Sequence, residues 1–383
     1  MDRIHPDLTH GTSRATLDAA VSDLIATIPT ATNDELMVGV LRIVAMVSRE
    51  GCDAHTGAFV WGTGTYPVES LPLRLWLFGN DSGGDDVVVV DALPPYGDLV
   101  GARVDAIGPT PIAEVLSRLE PLIPRDNDQT IRLLTPRYLL IPEVLRGLGL
   151  IDADPDVTLA LTHPGHDAAA TVAPVPMAEY NAWAGPYGLH LPADPDVLYL
   201  SRIDDALWWT RLIDPETVYV QWNRVDRLPA ATLDDLRQEL RKADVGRVVL
   251  DVRHNYGGEV SAVEPMVELF TDPAVDRPGR LYVITGRNTF SAASLFVARI
   301  DRDTDARIVG EPMAGCPTSY GDPEEVALPF SGIDVSVAAM LEVGVSAQDA
   351  RLTIEPDIGS ELTRDEWEHG SDPALGMITT PVP

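Results

Sequence analysis

Apolar residues recur at helical spacing in two successive runs between residues 15 and 50, ATLDAAVSDLIATI and NDELMVGVLRIVAMVSRE. Recurrence at three and four residues places them on one face of each helix, and Asn33 is the expected cap of the second. From Leu71 to Ile112 the pattern changes to short apolar strings punctuated by Gly and Pro. LPLRLWLF, DDVVVVDA and LVGARVDAIG are predicted strands. Helical spacing returns in PIAEVLSRL and continues through TPRYLLIPEVLRGLGL. Residues 151–195 are rich in Pro, Asp and Ala, with one predicted strand at VTLALT, and read as a small β segment and connector.

Beyond about residue 190 strands and helices alternate. VLYLSRI, TVYVQWN, RVVLDVR, RLYVITG, ARIVG and DVSVAAM are predicted strands, and ATLDDLRQELRKA and SAASLFVARI predicted helices. Such alternation predicts an α/β core, in which ligands sit beyond the carboxyl ends of the strands. The expected organisation is a helical module over residues 1–70, a small α+β domain with its connector over 71–190, and an α/β core over 191–383. No repeat of solenoid period and no low-complexity tract interrupts it.

Length and composition agree with an ordinary globular chain: 383 residues, 45% of them hydrophobic, bury a large core and suggest two or three domains. Charge narrows the partners. A formal net charge of −31 opposes binding to nucleic acid or to an anionic membrane, since both require a positive surface. Cys52 and Cys316 are too few for a disulfide scaffold, and the N-terminal sequence MDRIHPDLTH lacks the apolar stretch of a signal peptide. With no segment resembling a membrane span, a cytoplasmic location is expected.

The chemistry is concentrated between Val248 and Ile300. A glycine pair, Gly257 and Gly258, follows one buried strand, and Ser291 opens a helix after the next. Backbone N–H groups are exposed where strands end and helices begin, glycine lets a carbonyl approach them, and a helix N-terminus favours an oxyanion. A serine in front of AASLFVARI is first of all an N-cap. As a nucleophile it would need a base and an oxyanion hole, and the N–H groups of Gly258 and Ala292 could form the hole.

Eight histidines are candidates for the base. His5 and His10 are expected in a frayed terminus, His163 and His166 in the Pro-rich connector, and His369 in a charged tail. His254 lies in the glycine loop and competes with His55, which sits in a polar, glycine-flanked break. Cys52 and His55 also have a zinc-like spacing, but Cys316 has no ligand-type neighbour to complete four positions, so no metal is expected.

Six short elements stand in the order found in the tricorn-core and C-terminal-processing serine peptidase superfamily. They are DAHT at 53–56, LDVRHNYGG at 250–258, TFSAAS at 289–294, VGEPMAG at 309–315, IEPDI at 354–358 and DPAL at 372–375. The chain resembles the tricorn-type branch without a catalytic lysine more than the processing proteases. The likeness spans nearly its whole length and is strongest from about Leu198 onward. This resemblance implies a crotonase- and ClpP-like mixed α/β peptidase core with an N-terminal helical module and a small β-rich segment. It also implies that His55 is the general base, that Ser291 is the nucleophile, and that Gly257 and Gly258 contribute to the oxyanion hole.

Two departures from the family pattern bear on the mechanism. The processing proteases carry a lysine after the element that reads GEPMAGCPTSYGD here, and Lys242, the only lysine of this chain, lies elsewhere on a helix end. Tricorn proteins place a serine before the histidine and polarise it with a glutamate, whereas this chain has Ala54. Asp349 stands at about the place of that acid, while Asp53 and Thr56 are nearer to His55 in sequence. The expected activity is hydrolysis of peptides or proteins through an acyl-enzyme on Ser291, with no cofactor and with oligomerisation left open. A non-catalytic binding relative and a crotonase-type acyl-thioester enzyme are the alternatives. VGARVDAIG, which could suggest a peptide-carboxylate-binding module, is expected to be a strand and turn.

Overall fold

The computed structural model describes residues 1–383 except 62–66, 164–165, 186–188, 215, 330 and 380–383. The chain divides into two compact units. One comprises Met1–Pro192 with Tyr320–Leu341, the other Ala193–Ser319 with Glu342–Pro383.

The first unit opens with the two expected helices, Arg14–Thr27 and Asn33–Ala45. Thr32, rather than Asn33, caps the second: its hydroxyl accepts from Glu35 N–H while the Glu35 carboxylate returns to the Thr32 N–H, so two helix-end donors are satisfied together. The apolar strings become the antiparallel strands Leu73–Gly79, Asp85–Ala92 and Arg103–Ile107, joined in one sheet by the hairpin Val157–His163 and His166–Val172. Helices Ile112–Leu119, Asp128–Leu139 and Pro142–Gly147 connect its halves in sequence. A second, smaller sheet pairs the short strand Gly57–Ala58, just after His55, with Asp334–Val343, which also neighbours Thr318–Ala327.

The second unit is built on a six-stranded sheet. Leu207–Arg211 runs antiparallel to Thr217–Trp222, and Arg247–Asp251, Leu281–Thr285, Arg307–Gly310 and Ile358–Gly359 follow in parallel. The run TVYVQW is buried at every position, as expected of a strand covered on both faces. Alternate residues serve opposite faces. Val218, Val220, Val248 and Leu250 pack with Phe270, Phe296 and Val297, while Tyr219, Val249, Ile284 and Val309 pack with Ala374 and Ile378 of the C-terminal helix. VLYLSRI, read above as a strand, instead contains a single 3-10 turn at Leu198–Leu200, because its apolar residues are anchored individually: Tyr199 is buried, and its carbonyl accepts from the Gln221 side chain at 2.8 Å.

Both cysteines, Cys52 and Cys316, are disulfide-bonded. Among the described residues no helix is long and apolar enough to cross a membrane.

Candidate active site

Arg247–Asp251 and Leu281–Thr285 are parallel neighbours, with Asp251 opposite Ile284, so the loops leaving their carboxyl ends lie side by side. The first loop carries the glycine pair and the second carries Ser291. Asn255 fastens them together. Its backbone carbonyl accepts from Phe290 N–H at 3.0 Å, its side-chain oxygen accepts from Gly257 N–H at 2.9 Å, and its amide donates to the Trp222 carbonyl at 2.9 Å. Thr289 braces the second loop, donating to the Val252 carbonyl at 2.8 Å and accepting from Gly286 N–H at 3.1 Å.

Ser291 immediately precedes the helix Ala292–Asp303, yet its side chain makes no cap hydrogen bond. Its backbone adopts φ 55° and ψ −131°, outside the extended region of an N-cap and disfavoured for any residue with a Cβ. Holding it there costs on the order of 1–3 kcal/mol, which the braced loops on either side must sustain. The N-cap reading therefore fails, and the hydroxyl stands at the positive end of a helix macrodipole.

The three residues expected to form the oxyanion hole differ in what they can offer. Gly257 N–H is already given to Asn255, and Gly257 carbonyl accepts from Val225 N–H at 2.9 Å. Gly258 sits at φ 139°, where a Cβ would fall 2.4 Å from the Val225 carbonyl oxygen. Among the described residues neither Gly258 N–H nor Ala292 N–H has a hydrogen-bond acceptor. Those two groups are available to a substrate oxygen, and Gly257 shapes the turn that presents them.

His55 belongs to the first unit. Its loop is fixed by backbone: Cys52 N–H donates to the Asp126 carbonyl at 2.9 Å, Ala54 N–H to the Asp126 carboxylate at 2.7 Å, and Tyr320 N–H to the Cys52 carbonyl at 2.8 Å. Thr56 hydroxyl accepts from Ala338 N–H at 3.1 Å. Burial holds the His55 imidazole below its ordinary pKa, opposed by the charge of Asp53 and by the Tyr320 backbone carbonyl, which accepts from the ring. Burial thus favours the neutral form of the ring.

The remaining candidates fall elsewhere. Asp349 is engaged by Arg351, whose Nη2 lies 2.8 Å from it, and Arg351 also reaches Asp301. That hydrogen bonding keeps the Asp349 carboxyl below its usual range. His254 is buried, with its ring stacked on Tyr199 at 5.8 Å. Lys242 is exposed and paired with Glu239.

His5 and His10, expected in a frayed terminus, are ordered against Asp53. His5 is 6% exposed. Sequence reading missed this because their partner lies 48 and 43 residues away and no apolar periodicity marks the segment. Asn255 was also missed as the residue that ties the two loops together, although it lies within the LDVRHNYGG element.

No family model matches the chain, and no curated protein matches it. Solved structures do. Mature CPAF complexed with lactacystin superposes with a TM-score of 0.65 at 12% identity, covering 98% of this chain and 94% of that one. A serine-to-alanine mutant of CPAF gives 0.66 at 12% identity, covering 99% and 96%. The tricorn protease gives 0.41 at 12% identity, covering 95% of this chain and 34% of that one. The CPAF superpositions extend over essentially the whole of both chains, so the fold is shared with those structures.

Proposed function

We propose that this chain, whose mixed α/β fold is shared with CPAF, is a serine peptidase with Ser291 as nucleophile and His55 as general base. The observation that carries the reading is the backbone of Ser291. A serine serving only to start a helix would sit in the extended region and cap it, whereas this one is uncapped, at φ 55°, beside two N–H groups with no protein acceptor among the described residues. Strain of this kind persists only where the surrounding structure over-determines it, and it clusters at active sites.

In the proposed reaction Ser291 Oγ attacks the peptide carbonyl as His55 takes its proton. Charge developing on the carbonyl oxygen is received by the N–H groups of Gly258 and Ala292, supported by the helix dipole. Collapse expels the amine, protonated by His55, and leaves an ester on Ser291. Water, activated by the same imidazole, then hydrolyses that ester. A neutral buried histidine suits both steps, since only the unprotonated ring can accept.

A fluorophosphonate probe followed by peptide mapping tests the assignment. The expected result is one adduct, on Ser291, absent from a folded Ser291→Ala variant. A binding protein or an acyl-thioester enzyme would leave Ser291 unlabelled, and that result would end the peptidase reading.

A further inference from the structure

Two imidazoles of the N-terminal segment converge on a single oxygen of Asp53. His5 Nε2 and His10 Nε2 each lie 3.0 Å from Oδ2, and the carboxylate is wholly buried. The rings are stacked 5.6 Å apart at an interplanar angle of 6°, and the Tyr320 ring rests against them at 4.7 and 4.6 Å. These three ligand atoms also have the spacing of a metal site.

The tautomer argues against an ion. Asp7 N–H donates to His5 Nδ1 at 3.0 Å. A ring nitrogen that accepts carries no proton, so the proton of neutral His5 is on Nε2, which donates to Asp53. A metal would require the lone pair of that Nε2, and the far nitrogen of a metal-bound histidine is ordinarily a donor, the reverse of what is found.

We propose that the N-terminal segment, through His5 and His10, holds Asp53 as the buried charge that polarises His55, so that residues 1–10 are a working part of the catalytic apparatus. The inference rests on the peptidase reading above. Among the described residues no Arg or Lys pairs with Asp53. Its charge is sustained by the hydrogen bonds of His5, His10 and Thr56. Burial pushes the Asp53 carboxyl up, and hydrogen bonds from His10, His5 and Thr56 outweigh it, leaving the group below its ordinary range. That charge acts on His55, where it favours the protonated ring against burial. The other ionisable groups facing this cluster are the Tyr320 phenol, Asp7 and Asp126, of which Asp126 is occupied by Ala54 N–H. Tyr320 joins the two halves, its ring against the N-terminal histidines and its carbonyl on His55.

The test is the titration of the His55 ring, followed by NMR in the full chain, beside the pH profile of kcat/KM. Removing a negative charge disfavours the imidazolium, so Asp53→Asn should move the His55 titration and the acid limb together to lower pH, by about one unit, and lower kcat at least about tenfold. His10→Ala, whose ring is partly exposed, should give a smaller shift in the same direction and serves if Asp53→Asn does not fold. His10→Gln, which can place an amide N–H where Nε2 stood, should restore the wild-type profile. A His55 titration unmoved in folded variants overturns the proposal, as does one zinc bound per wild-type chain in equilibrium dialysis and lost in His10→Ala. A wild type unlabelled at Ser291 defeats the peptidase reading and this inference together. A labelled wild type with an unmoved His55 defeats this inference alone.

Discussion

The backbone of Gly257 lies so close to Ser291 that a Cβ added to the glycine would stand 2.7 Å from the Ser291 Cβ and 2.9 Å from the Ala292 nitrogen. The glycine cannot retreat, because its N–H is tied to Asn255 and its carbonyl to Val225. Its φ of 94° adds a second penalty for any L side chain. Gly257→Ala should therefore displace Ser291, the proposed nucleophile, and the amide beside it, lowering kcat by about 100-fold or more, on the scale of losing an oxyanion donor. It should also destabilise the fold by roughly 1–3 kcal/mol. Turnover measured alongside denaturant unfolding checks both.

Ser291→Ala separates chemistry from stability. Loss of a capping serine would cost about 1 kcal/mol, but this side chain caps nothing. The variant should lose hydrolysis and probe labelling while its unfolding midpoint stays at that of the wild type. Retained turnover, or a drop in stability as large as a lost cap, would contradict the geometry.

The pH dependence follows from the environment of His55. Burial, the largest influence on the ring, favours its neutral form and lowers its pKa, against the charge of Asp53 and the Tyr320 carbonyl. In the proposed mechanism the neutral imidazole is the active form, so activity is expected above the shifted pKa and lost as pH falls through it. The acid limb of kcat/KM should thus lie below about 6.5, the ordinary value for histidine. His254→Gln, at a ring stacked on Tyr199, should leave that limb in place.

Lys242 is the only lysine, exposed and paired with Glu239 three residues earlier on the same helix end. Such a pair contributes little, about 0–1 kcal/mol. Lys242→Arg should keep kcat within about twofold of the wild type, since arginine preserves the charge yet cannot serve as a neutral base. A collapse of steady-state turnover in the folded variant would point to a lysine mechanism.

The parallel strands of the second unit were legible because a strand buried on both faces must be written as a continuous apolar, β-branched run, as in RVVLD and TVYVQW. Gly257, Gly258 and Ser291 were legible for a related reason: they punctuate those runs where the chain turns. VLYLSRI misled because a few apolar residues anchored one by one look like a short strand. The capping role expected of Ser291 was a statement about sequence position, and capping depends on the backbone angle. Nothing in the chain's order reveals that Asn255 meets Phe290, or that His5 and His10 meet Asp53. Those are hydrogen bonds between groups far apart in sequence, and they leave no periodic trace.

The conformation of Ser291 also limits how this protein can be made more robust. Only glycine occupies such a backbone at ease, so the substitution that would relax the loop most is one that deletes the hydroxyl. At this position durability and reactivity are alternatives. On the proposed mechanism, a library screened for heat resistance without an assay for turnover would be drawn there, and would return a sturdier chain that no longer hydrolyses peptides.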